Sequence, residues 1–111
     1  MKIFKELKKL GYIHYSATTI EELDDLPLNS AERISEQALV LRWFREKYNL
    51  YHVITIADLG KYESGNPDFQ CAIYSKDPVV ITKMDNYKTY EEAELACLEK
   101  LIEIVKNKYI K

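Results

Sequence analysis

Apolar positions recur at steps of three and four residues near both ends of the chain and in a long stretch before its middle, and at steps of two in between. Ile3, Leu7 and Leu10 alternate with Lys5, Lys8 and Lys9, and Gly11 stands where a left-handed cap would close a short amphipathic helix over residues 2–10. Residues 12–15 read as a brief extended segment. Thr19 and Glu22 form a capping box for about one helical turn before Pro27, so residues 16–29 are expected to be a connector. Asn29 and Ser30 each offer an N-cap oxygen, and Glu32 follows Asn29 at the capping-box distance, predicting a long helix from there to about Tyr48. Its expected core stripe is Ile34, Ala38, Leu41, Phe44 and Tyr48. Leu39, Val40 and Trp43 widen the apolar surface toward a second contact, while Arg42, Arg45, Glu46 and Lys47 mark a wet face.

After Asn49 the period shortens. Residues 51–58 are rich in β-branched side chains and bounded by polar ones, as a strand should be; residues 69–74 read as a second strand and 79–83 as a third. Gly60, Gly65 and Pro67 break regular structure in a loop over 59–68, and Lys76, Asp77 and Pro78 make a short turn. Links this short require antiparallel pairing. Thr89 and Glu92 then open a last helix in which Ala93, Leu95, Ala96, Leu98, Leu101, Ile102, Val105 and Tyr109 keep helical spacing. Glu91, Glu92 and Glu94 near its start and Lys106, Lys108 and Lys111 at its end complement the helix dipole. The expected class is therefore α+β: a long helix, a three-stranded antiparallel sheet and a C-terminal helix (α-β-β-β-α), with a short N-terminal helical extension. Residues 1–29 hold the extension and connector and 30–111 the α-β-β-β-α domain, the whole forming one globular unit.

Composition narrows the picture further. At 111 residues, with 47% hydrophobic and 31% charged side chains, the chain can bury a single core and lacks the signature of disorder. Sixteen Lys and Arg against eighteen Asp and Glu give a net charge of -2, with the signs interspersed, so no broad footprint for nucleic acid or anionic lipid follows. The charged start is unlike a signal peptide and no apolar run approaches a membrane span, which points to a cytoplasmic protein. Cys71 and Cys97 lie in apolar surroundings and are expected to be reduced core residues.

Residues 39–48 (LVLRWFREKY) and 87–105 (YKTYEEAELACLEKLIEIV) resemble small uncharacterised proteins encoded in bacterial phage and prophage regions, a likeness that covers residues 30–109. The resemblance implies the helix, three-strand, helix order. It brings no activity, because the shared positions are mostly core and cap residues.

The order α-β-β-β-α is also that of double-stranded RNA binding domains, which makes a nucleic-acid-binding module the alternative reading. Such domains place Lys or Arg at the start of the last helix to meet phosphates, where this chain has Glu91, Glu92 and Glu94. His14, His52, Cys71 and Cys97 have no metal-ligand spacing, so no metal and no cofactor are expected. Cys71 alternates with Phe69 and Ile73 on the face expected to be buried, which argues against a reactive thiolate. Glu21, Glu22, Asp24 and Asp25 read as solvated carboxylates on the connector, and the loop with Gly60 and Gly65 lacks the phosphate-loop ending.

One compositional signal remains. Nine tyrosines are many for this length, and Tyr and Trp suit surfaces where an apolar body meets a partner while its polar tip stays wet. If Ile54, Ile56, Cys71, Ile73 and Ile81 face the helices, the opposite sheet face carries Val53, Thr55, Ala57, Ala72, Tyr74, Val80 and Thr82. The expected function is a non-enzymatic protein-interaction module, an accessory protein of a phage or mobile element able to form a homodimer. Its candidate surfaces are Trp43 on the long helix or Val53, Thr55, Ala72, Tyr74 and Thr82 on the sheet, with nucleic acid and membrane not expected as partners.

Overall fold

Helix α1, Ile3–Lys9, ends in a left-handed glycine: Gly11 has φ 101°, its amide donates to the Lys8 carbonyl at 3.1 Å, and the Tyr12 amide reaches back to Leu7 at 3.0 Å. This double bond pattern satisfies carbonyls that the last turn would otherwise leave open, and it turns Tyr12 back over the helix. The computed structural model describes residues 2–13, 18–57, 68–75 and 80–108. Helix α2, Ile20–Asp25, begins at Thr19, whose hydroxyl accepts the Glu22 amide, and buries Ile20 and Leu23. The connector is thus partly a core element.

Helix α3, Ala31–Tyr48, starts at Ser30, which caps the Arg33 amide at 3.3 Å, and ends at Asn49 in the left-handed region with φ 55°. The buried face is Arg33, Glu36, Gln37, Val40, Leu41 and Phe44. This corrects the expected stripe. Ile34 is 40% exposed and Ala38 also faces outward, while Val40, expected to widen the outer surface, is fully buried. Leu41 and Phe44 are core as expected.

Strands β1, Tyr51–Ala57, β2, Asp68–Tyr74, and β3, Val80–Tyr87, form a sheet in the order β1-β2-β3 with both pairs antiparallel. The register sets Tyr51 across from Tyr74, Val53 from Ala72 and Ile54 from Cys71. Strand β3 runs on to Tyr87, beyond the expected 79–83, because Phe69 pairs with Tyr87 at the far end. Of the loop expected at 59–68, Asp68 instead begins β2 and the rest lies outside the described residues, as do the turn expected at 76–78 and His14.

Helix α4, Tyr90–Lys108, opens with the Thr89 hydroxyl accepting the Glu92 amide at 3.1 Å. Ala93, Cys97, Leu98, Leu101, Ile102 and Val105 form its buried stripe and cover Cys71 and Ile73 of β2. Helix α1 packs on α2 and α4, and α3 packs on α4 and β1, so the described helices gather on one face of the sheet. The result is α+β, with one hydrophobic cluster that includes Ile3, Phe4 and Leu7 as well as Phe44, Ile73 and Leu98.

Candidate functional site

Among the described residues, two candidate surfaces for recognition are the sheet face turned away from the helices and a groove between α3 and α4. On the outer sheet face, the pairing of Tyr51 with Tyr74, Val53 with Ala72 and Thr55 with Gln70 brings these side chains to one side. Val53 is 43% exposed, Tyr51 and Thr55 are exposed, and Tyr74 is half-buried. Ala72, in the central strand, is buried between its neighbours. In β3, Lys83 pairs with Ala72 and Thr82 with Ile73, and a bulge between Ile73 and Tyr74 then brings Val80 opposite Tyr74. Thr82 therefore shares the register position of Ile73, not that of Val53, Ala72 and Tyr74, contrary to expectation.

Trp43 is not part of this surface. Its ring is half-buried in an aromatic cluster, edge-on to Tyr12 at 5.5 Å, Phe44 at 5.1 Å and Tyr48 at 5.5 Å, with the Lys47 ammonium 5.2 Å from its centre. The Gly11 turn supplies Tyr12, and with it closes the side of α3 that the sequence left open. Leu39 remains outside this cluster, 52% exposed.

The groove is built by elements the sequence reading treated separately. Helix α3 contributes Leu39, Leu41, Arg42 and Arg45, β1 contributes His52, and the first turns of α4 contribute Tyr90 and Glu94, around a space of about 410 Å³. Arg42 is held by Glu46 at 2.9 Å one turn on, whereas Arg45 makes no ion pair among the described residues. Burial, and then the positive charge of Arg45, hold the His52 imidazole below its ordinary pKa. Burial is also the largest influence on Glu94, whose carboxyl is pushed above its ordinary value; Glu91 adds to this and a hydrogen bond from Gln37 opposes it. Tyr90 stands edge-on to Phe69 at 6.3 Å and keeps an exposed side.

Behind the groove lies a buried polar relay. Gln37 Nε2 donates to Glu94 Oε1 at 2.8 Å and Arg33 Nε donates to Gln37 Oε1 at 2.9 Å. Arg33 Nη1 then donates to the carbonyls of Leu26 at 2.8 Å and Asp24 at 3.2 Å. The Asp24 carboxylate accepts the Phe4 amide at 2.9 Å and the Lys5 amide at 3.0 Å. Asp24, expected to be a solvated connector residue, thus caps α1 from a distance, a service α1 lacks from its own N-cap Lys2. A parallel bond runs from the Tyr12 hydroxyl to Glu36; burial, and then this bond, raise the Tyr12 pKa strongly.

Cys71 and Cys97 are both free and buried, as expected for core thiols. The hydrogen bond between them comes first, and burial second, in pushing the Cys97 thiol up, and the same bond lowers the Cys71 thiol. No group of three His, Cys, Asp or Glu side chains able to hold a metal ion occurs among the described residues, and no helix among them is long and apolar enough to cross a membrane. No protein-family model, no curated protein and no solved structure gives a significant match to this chain.

Sequence reasoning named the outer sheet face but missed the groove. In the sequence His52 stands out only as a histidine without metal-ligand spacing, and Glu94 as one of the carboxylates that complement the helix dipole. The signal that could have found them is the inward phase of His52, two residues before Ile54 on the helix-facing side of β1.

Proposed function

We propose that the chain is a small non-enzymatic protein-interaction module that docks through the outer face of its sheet, with a second copy of itself as partner. The observation that carries this reading is the one-sided packing of the described helices, which leaves Tyr51, Val53, Thr55 and Tyr74 facing away from the core. Contiguous apolar surface on a soluble chain marks contact sites, and a two-fold axis lets one patch bury itself against its twin. Tyrosines at such a face contribute apolar area at a modest entropic cost. The carboxylates Glu91 and Glu92 at the start of α4 disfavour a phosphate backbone, so a protein is the proposed partner rather than nucleic acid. The likeness of residues 39–48 and 87–105 to phage- and prophage-encoded proteins suggests an accessory role in a mobile element.

Sedimentation velocity tests the reading. The wild-type chain is expected to sediment as a dimer at micromolar concentration. Val53→Glu and Tyr74→Glu are each expected to give monomers with unchanged far-ultraviolet dichroism. A wild-type monomer across that concentration range defeats self-association, and submicromolar, salt-sensitive binding to duplex RNA or DNA would replace this reading with the nucleic-acid one.

A further inference from the structure

We infer that the groove between α3 and α4 is a binding site for a small organic monoanion, a carboxylate carried on an apolar or aromatic body. Its volume of about 410 Å³ falls within the roughly 300–1,000 Å³ span of small-molecule sites, and its walls divide into two kinds. Leu39, Leu41 and the exposed side of Tyr90 offer an apolar slot. Arg45 and His52 offer the polar end.

Among the described residues Arg45 makes no ion pair, whereas Arg42 is engaged by Glu46. A guanidinium with a free fork is suited to the two oxygens of a carboxylate. His52 stands close enough to feel the charge of Arg45 and is half-buried, so it meets the ligand as a neutral donor or, once an anion sits between them, as an imidazolium.

Charge sets the upper limit. Glu94 lines the same groove with one oxygen committed to Gln37, and Glu91 follows Tyr90 on the same helix. The Glu94 carboxyl in the groove, with the charge of Glu91 acting on it, beside a guanidinium that makes no ion pair among the described residues, disfavours a phosphate monoester or a nucleotide and admits a single negative charge. The titratable and charged groups that line the groove are Arg42 and Arg45 from α3, His52 from β1, and Tyr90 and Glu94 from α4, with Glu91 acting on Glu94 through its charge. Both titrating members respond in the same direction: an anion favours protonated His52 and protonated Glu94, so binding takes up protons and tightens as pH falls.

Benzoate, benzamide and inorganic phosphate, titrated into the ¹⁵N-labelled full chain and followed by nuclear magnetic resonance, test this. Benzoate is expected to shift the His52 and Tyr90 signals saturably and to raise the His52 pKa, whereas benzamide and phosphate are expected to shift them little. Arg45→Met, at an exposed position that leaves the fold intact by dichroism, should weaken benzoate about 10- to 100-fold. Glu94→Gln, which keeps the acceptor for Gln37 and removes a charge, should strengthen it. Equal binding of benzamide, or benzoate binding unchanged by Arg45→Met, would overturn the assignment.

Discussion

Glu94 sets charge against burial. It is 8% exposed, holds one hydrogen bond from Gln37 and shares the first turns of α4 with Glu91. Its folded pKa is raised, so as pH climbs the unfolded chain releases this proton first and the native state binds more protons. The associated stability is complete below the ordinary carboxyl range and is lost as pH rises through the raised folded value. Glu94→Gln preserves the acceptor and removes the charge. The variant should therefore melt above the wild type at pH 7 and with it at pH 3.5, as thermal denaturation at the two pH values would reveal. Gln37→Leu does the opposite, stranding Arg33 Nε and Glu94 Oε1 at once, and should lower stability by roughly 1–3 kcal/mol in urea denaturation.

At the scale of elements, caps were legible in the sequence and faces were only partly so. Thr19, Ser30 and Thr89 each accept the amide three residues on, and Gly11 takes the left-handed turn its position required. These are local devices, written within four residues. The face of α3 is not local: Arg33, Glu36 and Gln37 are buried because Asp24, Leu26, Tyr12 and Glu94 supply their partners, and Gln37 and Glu94 are 57 residues apart. Pattern reading assigns buried positions to apolar residues, so it rotated the helix toward Ile34 and Ala38. The same limit hid the groove, whose polar members come from three elements. A substitution series discriminates between the two faces. Phe44→Ala should cost about 3–5 kcal/mol and Leu98→Ala about 2–5 kcal/mol, both through an unfilled cavity. Ile34→Ala, on the exposed side, should stay within about 0.5 kcal/mol. A large loss at Ile34 in chemical denaturation would restore the stripe the sequence implied.

The whole molecule depends on where α1 sits. A short N-terminal helix could have covered the outer sheet face, and its position decides which surface stays open. Ile3, Phe4 and Leu7 are fully buried, Phe4 lies 5.7 Å from the Arg33 guanidinium, Lys106 pairs with Glu6, and Tyr12 packs on Trp43. The extension is therefore a wall of the core on the helical side. Full burial of an Ile, Leu or Phe side chain contributes roughly 1.5–3 kcal/mol, so three of them amount to a large part of a domain stability of about 5–15 kcal/mol. Asp24 would lose both amides it accepts, and the aromatic cluster would lose one of its rings. A chain that begins at residue 14 should accordingly lose its cooperative thermal transition and bind a hydrophobic dye, with aggregation driven by the uncovered helical side rather than by the sheet. Val53→Glu placed in that truncated chain should leave the aggregation unchanged, whereas in the full-length protein it should yield a folded monomer. Light scattering beside differential scanning calorimetry on the four proteins separates the two surfaces, and a truncated chain that melts cooperatively at the wild-type temperature would show that α1 is an ornament on a core complete without it.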